Sequence, residues 1–416
     1  MTESVTAATR RPISRASLAL LAAACGVTVG NVYLCQPLLN QMAVSFGVPP
    51  QLAGLVATGA QIGYALGILF ILPLADAIEP RRLVRVLLVL TTLSLIGAAF
   101  SPTAPVLIVA SLAIAGATVV PQILIPVASG FVEPQHRGRV IGALQTGLIL
   151  GILLSRTLSG VVAQLSGSWR WPYVLAAVLT GALAPFVPAV IPLRGARPSH
   201  GGYLRLLGSL FPLLRHRPLR LSMALGFCVF AAFSAFWATL AFHLASPAFG
   251  LGPATAGLFG LYGAPGAILA PLAGRLSDRY GAFRVNAFAL LSVGAAFALA
   301  GTVGAASLLA LMVAVNLLDF GLQSGQIANQ ARIFALGDDI RARVNTLYIV
   351  ATFSGGAIGS IAGVFSWSEA GWRGVCGLAL LLVAAAALIL LFSARAQASR
   401  RDRAIAVDAD PVRKST

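Results

Sequence analysis

The chain has 416 residues, 58% of them apolar and 10% charged, with a formal net charge of +17 and a mean hydropathy of +0.89. Soluble domains carry about a quarter charged residues, so this chain has too little polar surface to cover a water-exposed fold, and bilayer rules apply. All but one of the 29 basic residues are Arg, the single Lys being Lys414; this excludes a Walker-type phosphate loop and ATP-driven pumping by this chain alone.

A spanning helix needs about 20 apolar residues. Runs bounded by Arg, Asp, Pro and Gly clusters predict twelve, covering 17 to 41, 51 to 74, 83 to 100, 105 to 131, 140 to 165, 171 to 193, 221 to 246, 254 to 277, 285 to 303, 306 to 333, 344 to 366 and 372 to 394. We number them helices 1 to 12. The arginines ahead of helix 1 resemble the basic start of a signal peptide, but the many spans that follow make helix 1 a retained span. Cys25, Cys35, Cys228 and Cys376 all fall inside apolar runs and read as small core residues. His136, His200, His216 and His243 are too scattered for a metal site. No cofactor, metal or catalytic group is expected, and no enzyme activity.

Counting Arg and Lys outside the spans or within three residues of their ends gives 26 on one side, in both tails and alternate loops, against two on the other, Arg170 and Arg373. This positive-inside bias puts both termini in the cytoplasm. It also accounts for the net charge by topology, without nucleic acid as a partner. The implied organisation is a cytoplasmic tail over 1 to 16, a six-helix bundle over 17 to 193, a cytoplasmic linker over 194 to 220, a second bundle over 221 to 394, and a basic tail over 395 to 416.

The two bundles repeat one another. Ser45-Phe46-Gly47-Val48-Pro49 aligns with Ala248-Phe249-Gly250-Leu251-Gly252 at an offset of 203, Asp76 with Asp278 at 202, Arg139-Val140 with Arg343-Val344 at 204, and Trp169-Arg170 with Trp372-Arg373 at 203. Six spans separate equivalent points, so the halves share one membrane orientation. That is the parallel repeat of a two-bundle transporter with its site between bundles.

Gly274-Arg275-Leu276-Ser277-Asp278-Arg279-Tyr280-Gly281-Ala282-Phe283-Arg284 resembles the loop signature of the major facilitator superfamily, and Pro73-Leu74-Ala75-Asp76-Ala77-Ile78-Glu79-Pro80-Arg81-Arg82 is a degraded copy. The segments Asn31-Val32-Tyr33-Leu34-Cys35-Gln36-Pro37 and Gly151-Ile152-Leu153-Leu154-Ser155-Arg156-Thr157 resemble its bacterial sugar-efflux and drug:proton antiporter branch. That branch's helix 4 pattern, R-x-x-x-G, is not met, since Leu112 stands where its Arg would fall before Gly116. The resemblance implies an all-α fold of twelve helices in two six-helix bundles, with gating charges at Asp76, Arg81 and Arg82 and at Asp278, Arg279 and Arg284. It also implies proton-coupled efflux.

Of the twelve acidic residues one lies at mid-membrane, Asp319. An intramembrane carboxylate is costly, which makes it the candidate proton site. Asn316, Asp319, Gln323, Gln326 and Gln330 share one stripe of helix 10, which lines either a cavity or a buried hydrogen-bond seam. The repeat-equivalent helix 4 positions are apolar, which predicts a site polar on one side only. Phe230 and Trp237 on helix 7, with Asn31 and Gln36 on helix 1, are further cavity candidates. Arg156 is the one basic residue well inside a span; it either snorkels to the far interface or binds an anionic group or Asp319. His243 reads as interfacial. Small residues at Gly147, Gly151, Ser155 and Ser159, answered by Gly355, Gly359 and Gly363, fit either sliding contacts between bundles or static packing.

The sequence therefore predicts a monomeric, multi-pass transporter of the inner membrane. It would move a small molecule by alternating access, most simply by proton-coupled efflux of an amphiphilic compound or sugar. The alternative is an uptake symporter or uniporter for an organic acid or sugar.

Overall fold

A computed structural model describes residues 14–191, 202–268, 275, 277 and 279–408, with the side chains of Asp76, Pro134, Gly202, 267–268 and 397–408 excepted. Among the described residues every regular element is helical. Helices 1 to 7 run Arg15–Phe46, Pro50–Ala75, Pro80–Ala99, Ala104–Gly130, Gln135–Ser166, Arg170–Val190 and Arg217–Ala245, and helices 9 and 10 run Ala282–Gly301 and Leu308–Phe334. Helix 8 is described over Pro253–Tyr262 and Ala264–Ile268. Helices 11 and 12 form one continuous stretch, Arg341–Asp408, broken at Gly371, whose φ of 60° turns the chain back across the bilayer. The linker contains a short helix, Gly202–Gly208, that the hydropathy pattern does not signal.

Large side chains such as Leu93, Val109, Leu291, Leu381 and Phe392 are exposed around the helices. A surface of this kind suits hydrocarbon, where the helix satisfies its own backbone and the side chains face lipid.

The repeat is visible in the backbone. Gly47 and Gly250, aligned in the sequence, both adopt φ 62° at the end of the first helix of their bundle. The shared Trp-Arg landmark closes an equivalent helix end in each half. Arg170 donates from Nη1 to the carbonyls of Ala99 and Ser101 at 2.8 and 2.9 Å, capping helix 3. Trp372 donates from Nε1 to the carbonyl of Ala300 at 2.9 Å, capping helix 9. Either donor satisfies a carbonyl that the helix end leaves open.

Close packing through small residues occurs inside each bundle. A methyl group at Gly147 or Gly151 would overlap the backbone of Ala22 or Gly26 on helix 1. Gly355, Gly359 and Gly363 of helix 11 meet Phe227, Ala231 and Ala235 of helix 7 in the same way. Because both partners lie within one bundle, these ladders are static packing and not the sliding surface between bundles.

The bundles meet elsewhere. On the side away from the chain termini one apolar core is continuous across the interface, Leu38, Met42 and Ala53 of the first half packing with Ala238, Phe242 and Val364 of the second. Helix 5 joins helix 8 there: Thr157 Oγ1 donates to the carbonyl of Gly257 at 3.1 Å, and Gln164 Oε1 accepts from the Ala254 N–H at 3.1 Å. Near mid-membrane the Phe353 ring of helix 11 bridges Tyr64 of helix 2 and Phe230 of helix 7, at centroid distances of 4.5 and 5.0 Å. Nearer the termini a cavity lies between the bundles, beside the contact that Ile349, Val350 and Phe353 of helix 11 make with the first bundle's core.

Candidate functional site

The cavity has a volume of about 220 Å³ and is walled by both bundles. Tyr33, Tyr64, Gln122, Gln145 and Arg156 come from the first; Phe230, Phe233, Asp319, Gln323, Gln326, Tyr348 and Thr352 come from the second.

Arg156 stands on helix 5 and is 2% exposed. It does not snorkel. Its Nε donates to Gln36 Oε1 at 2.7 Å, and its guanidinium carbon lies 3.8 Å from the Trp237 ring centroid, 4.8 Å from that of Tyr33 and 5.8 Å from that of Phe233. Cation–π attraction to three rings in a desolvated setting compensates part of the lost hydration. Its Nη2 is buried without a hydrogen-bond partner among the described residues. Gln36 and Trp237 therefore act behind the cavity wall, fixing Arg156, while Phe230 forms part of the wall itself.

Asp319 faces the cavity from helix 10 of the other bundle and is 8% exposed. Its carboxylate makes no ion pair with Arg156; the ion pairs among the described residues are surface contacts of His136 with Glu133 and of Arg341 with Asp338. Helix 8 comes against it at Gly263, where a methyl group would overlap Oδ2.

The polar stripe of helix 10 divides among three surroundings. Asp319, Gln323 and Gln326 line the cavity. Gln330 lies below it, donating to Asn345 Oδ1 of helix 11 at 3.4 Å. Asn316 does not line the cavity: its amide turns to helix 8, with Nδ2 donating to the Tyr262 carbonyl at 2.6 Å and Oδ1 accepting from the Gly266 N–H at 3.2 Å. The Asn31 expectation is also corrected, because Asn31 Nδ2 donates to Thr180 Oγ1 of helix 6 at 3.1 Å, outside the cavity.

The site is not polar on one side only. Helix 4 breaks at Thr118, between Ala104–Ala117 and Val120–Gly130. Beyond the break Gln122 reaches the cavity and donates to the Tyr64 hydroxyl at 3.3 Å. Repeat mapping passes over Gln122 because the break changes which residues face inward. Tyr33, Tyr64 and Tyr348 were also missed, since a lone tyrosine in an apolar run is indistinguishable from core.

His243 is buried within the protein at the outer end of helix 7. Its ring stacks on Trp372 at 4.1 Å and 5° and meets Phe249 edge-on, away from the cavity.

Among the gating candidates, Arg81 donates from Nε to the carbonyl of Ile191 at the end of helix 6, while Arg82 is exposed. Arg279 lies over Tyr280 at 5.2 Å and Arg284 is exposed. Asp278 and the side chain of Asp76 lie outside the described residues.

Two six-helix bundles enclosing a central cavity, sealed on one face, define a membrane transporter. The chain belongs to the major facilitator superfamily, which it matches over residues 18–246 and 223–414. It is 37% identical over 365 residues to the Escherichia coli O157:H7 protein described as uncharacterized transporter YgaY, covering 88% of this chain and 92% of that one. It is 36% identical over 371 residues to the probable transporter SCO4007 of Streptomyces coelicolor, covering 88% and 85%. Its fold is similar to that of a point mutant of the nucleoside transporter NupG, with a TM-score of 0.72 at 14% identity over 90% of this chain and 98% of that one. A point mutant of the peptide transporter POT in complex with alafosfalin gives a TM-score of 0.71 at 15% identity over 92% and 94%.

Proposed function

We propose that the protein is a proton-coupled exporter of a small amphiphilic molecule or sugar, working by alternating access in the cytoplasmic membrane, with Asp319 as its proton site. The observation that carries this reading is the position of Asp319: a carboxylate in the cavity between bundles, without an ion-pair partner among the described residues. A group that exchanges protons needs access to water on one side at a time, and a cavity closed on the far face supplies that access. The aromatic and amide wall suits an amphiphile, rings covering its apolar part while Gln122, Gln323 and Gln326 meet polar groups.

The arginine bias supports cytoplasmic termini, which makes the described conformation inward-facing. The inner membrane is supported by a relative, the inner membrane transport protein YnfM of Escherichia coli K12, 26% identical over 380 residues, covering 90% of this chain and 89% of that one. The sugar-efflux and drug:proton antiporter branch remains the reading of the sequence motifs.

A second reading, uptake of an organic acid, is favoured by one feature: Arg156 Nη2 lacks a partner among the described residues, as a carboxylate-binding guanidinium would before its ligand arrives. Transport in inverted vesicles containing the protein, screened over amphiphiles, sugars and organic acids with and without an imposed proton gradient, separates the two. Export predicts accumulation driven by an acidic interior, whereas transport indifferent to the gradient overturns proton coupling.

A further inference from the structure

Helix 8 is interrupted between Tyr262 and Ala264. Pro265 has no N–H to return to the carbonyl one turn back, and its ring crowds that carbonyl. The next rung would join the Tyr262 carbonyl to the Gly266 N–H, and both groups are taken by one side chain. Asn316 Nδ2 donates to the Tyr262 carbonyl at 2.6 Å and its Oδ1 accepts from the Gly266 N–H at 3.2 Å. Nδ2 also donates to the Met312 carbonyl of its own helix at 2.8 Å, which fixes the amide's orientation. A side chain inserted in the rung satisfies both backbone groups while leaving the axis free to bend.

What surrounds the break gives it a use. One turn along helix 10 from Asn316, the Asp319 carboxylate rests against Gly263 at the break itself. The segment beyond it, Pro253–Tyr262, forms the far seal: Gly257 accepts from Thr157 of helix 5, and Gly257 and Gly260 lie against Arg156. The proton site of one bundle and the arginine of the other thus touch the same short helix. Among the described residues, the charged and titratable groups sharing the cavity with Asp319 are Arg156 of helix 5, Tyr33 of helix 1 and Tyr64 of helix 2 from the other bundle and Tyr348 of helix 11 from its own. An ionised Asp319 attracts Arg156 across the cavity they share and, with helix 8 able to bend at Gly263, draws Pro253–Tyr262 onto helix 5 and favours the seal; loss of the charge weakens it.

We propose that Asn316 is a positioning residue that makes the Gly263 break a hinge, coupling the charge on Asp319 to the seal between Pro253–Tyr262 and helix 5. This rests on the reading of Asp319 as the proton site. It assigns Asn316 no contact with substrate.

The test is a double-mutant cycle read by crosslinking of the far seal. Gln164→Cys and Ala254→Cys place a reporter pair where Gln164 accepts from the Ala254 backbone; the native cysteines are buried and do not compete. In full-length protein in proteoliposomes, Asp319→Asn is expected to slow crosslinking about fivefold, the net worth of roughly one hydrogen bond. In an Asn316→Ala background the same change is expected to have almost no effect. Equal slowing in both backgrounds, or none in either, overturns the proposal. Asn316→Leu, of the same branched shape but without polar atoms, provides the same comparison should the alanine variant not fold. Proton-driven accumulation by Asp319→Asn is measured in parallel. If it persists, the proton reading fails, whatever the crosslinking cycle shows.

Discussion

Arg156 and Asp319 stand on opposite bundles and line one cavity, yet no ion pair joins them. Each charge is held by its own surroundings, Arg156 by Gln36 and aromatic rings and Asp319 by the cavity and Gly263. A direct pair would lock the bundles together and be costly to part in a medium of low dielectric. Separated charges leave each free to answer a proton or a ligand.

The environment of Arg156 is specific to guanidinium. Its Nε bond to Gln36 and its place over the Trp237 ring are made together by one fork, which a compact ammonium group cannot match. Arg156→Lys is expected to insert and elute as a monodisperse protein while lowering the initial transport rate by about tenfold, the cost of losing one charge-assisted hydrogen bond. Wild-type rates in Arg156→Lys would show that only its charge matters.

The two copies of the Trp-Arg landmark do different work, and this predicts unequal stability losses. Trp372 caps helix 9 through its indole N–H, whereas Trp169 Nε1 has no partner among the described residues and Arg170 performs the capping in that half. Trp372→Phe should lose about 1 kcal/mol more than Trp169→Phe. Thermal unfolding of the two variants in detergent compares them directly, and equal losses would remove the capping explanation.

Static packing within the bundles is tested at Gly151. A side chain there would overlap the Gly26 backbone, and neither helix has slack to yield. Gly151→Val is expected to cost about 2 kcal/mol or more and to reduce the yield of folded protein. A stable variant with altered transport kinetics would return the ladder to the interface between bundles.

The helices were legible because hydropathy over about 20 residues is set by the bilayer and does not depend on partners. Asp319 and Arg156 stood out for the same reason, as charges where almost none are tolerated. Asn316 was misassigned because a polar stripe on an isolated helix cannot reveal that a neighbour is broken and needs its amide. Gln122 was missed because the repeat carries residue numbers from one half to the other but not the break at Thr118. Trp237 and Gln36 were placed in the cavity, when their part is to hold Arg156 from behind; distance from the membrane centre was readable, whereas the order of layers around a charge was not.

Topology rests on 26 basic residues against two. Reporter fusions are expected to place both termini and the 194 to 220 linker in the cytoplasm, with the Trp169 and Trp372 turns outside. A cytoplasmic Trp169 turn would invert the cavity and make the described conformation outward-facing.

Asp319→Asn gives the most direct test of mechanism. The substitution preserves shape and polarity but cannot ionise at any accessible pH, so it removes the proton step together with the charge that favours the far seal. Because Gln323 and Gln326 share the cavity wall, a substrate held by amides and rings retains its contacts. Exchange of labelled for unlabelled substrate across vesicles without a gradient should therefore persist, altered by no more than the change in the far seal. Net accumulation driven by a proton gradient should be lost, because the carrier can no longer return loaded with a proton. Loss of exchange as well would make Asp319 a binding group. Retained accumulation would make it a structural polar residue at the helix 8 break, and the driving ion would have to be sought at another group.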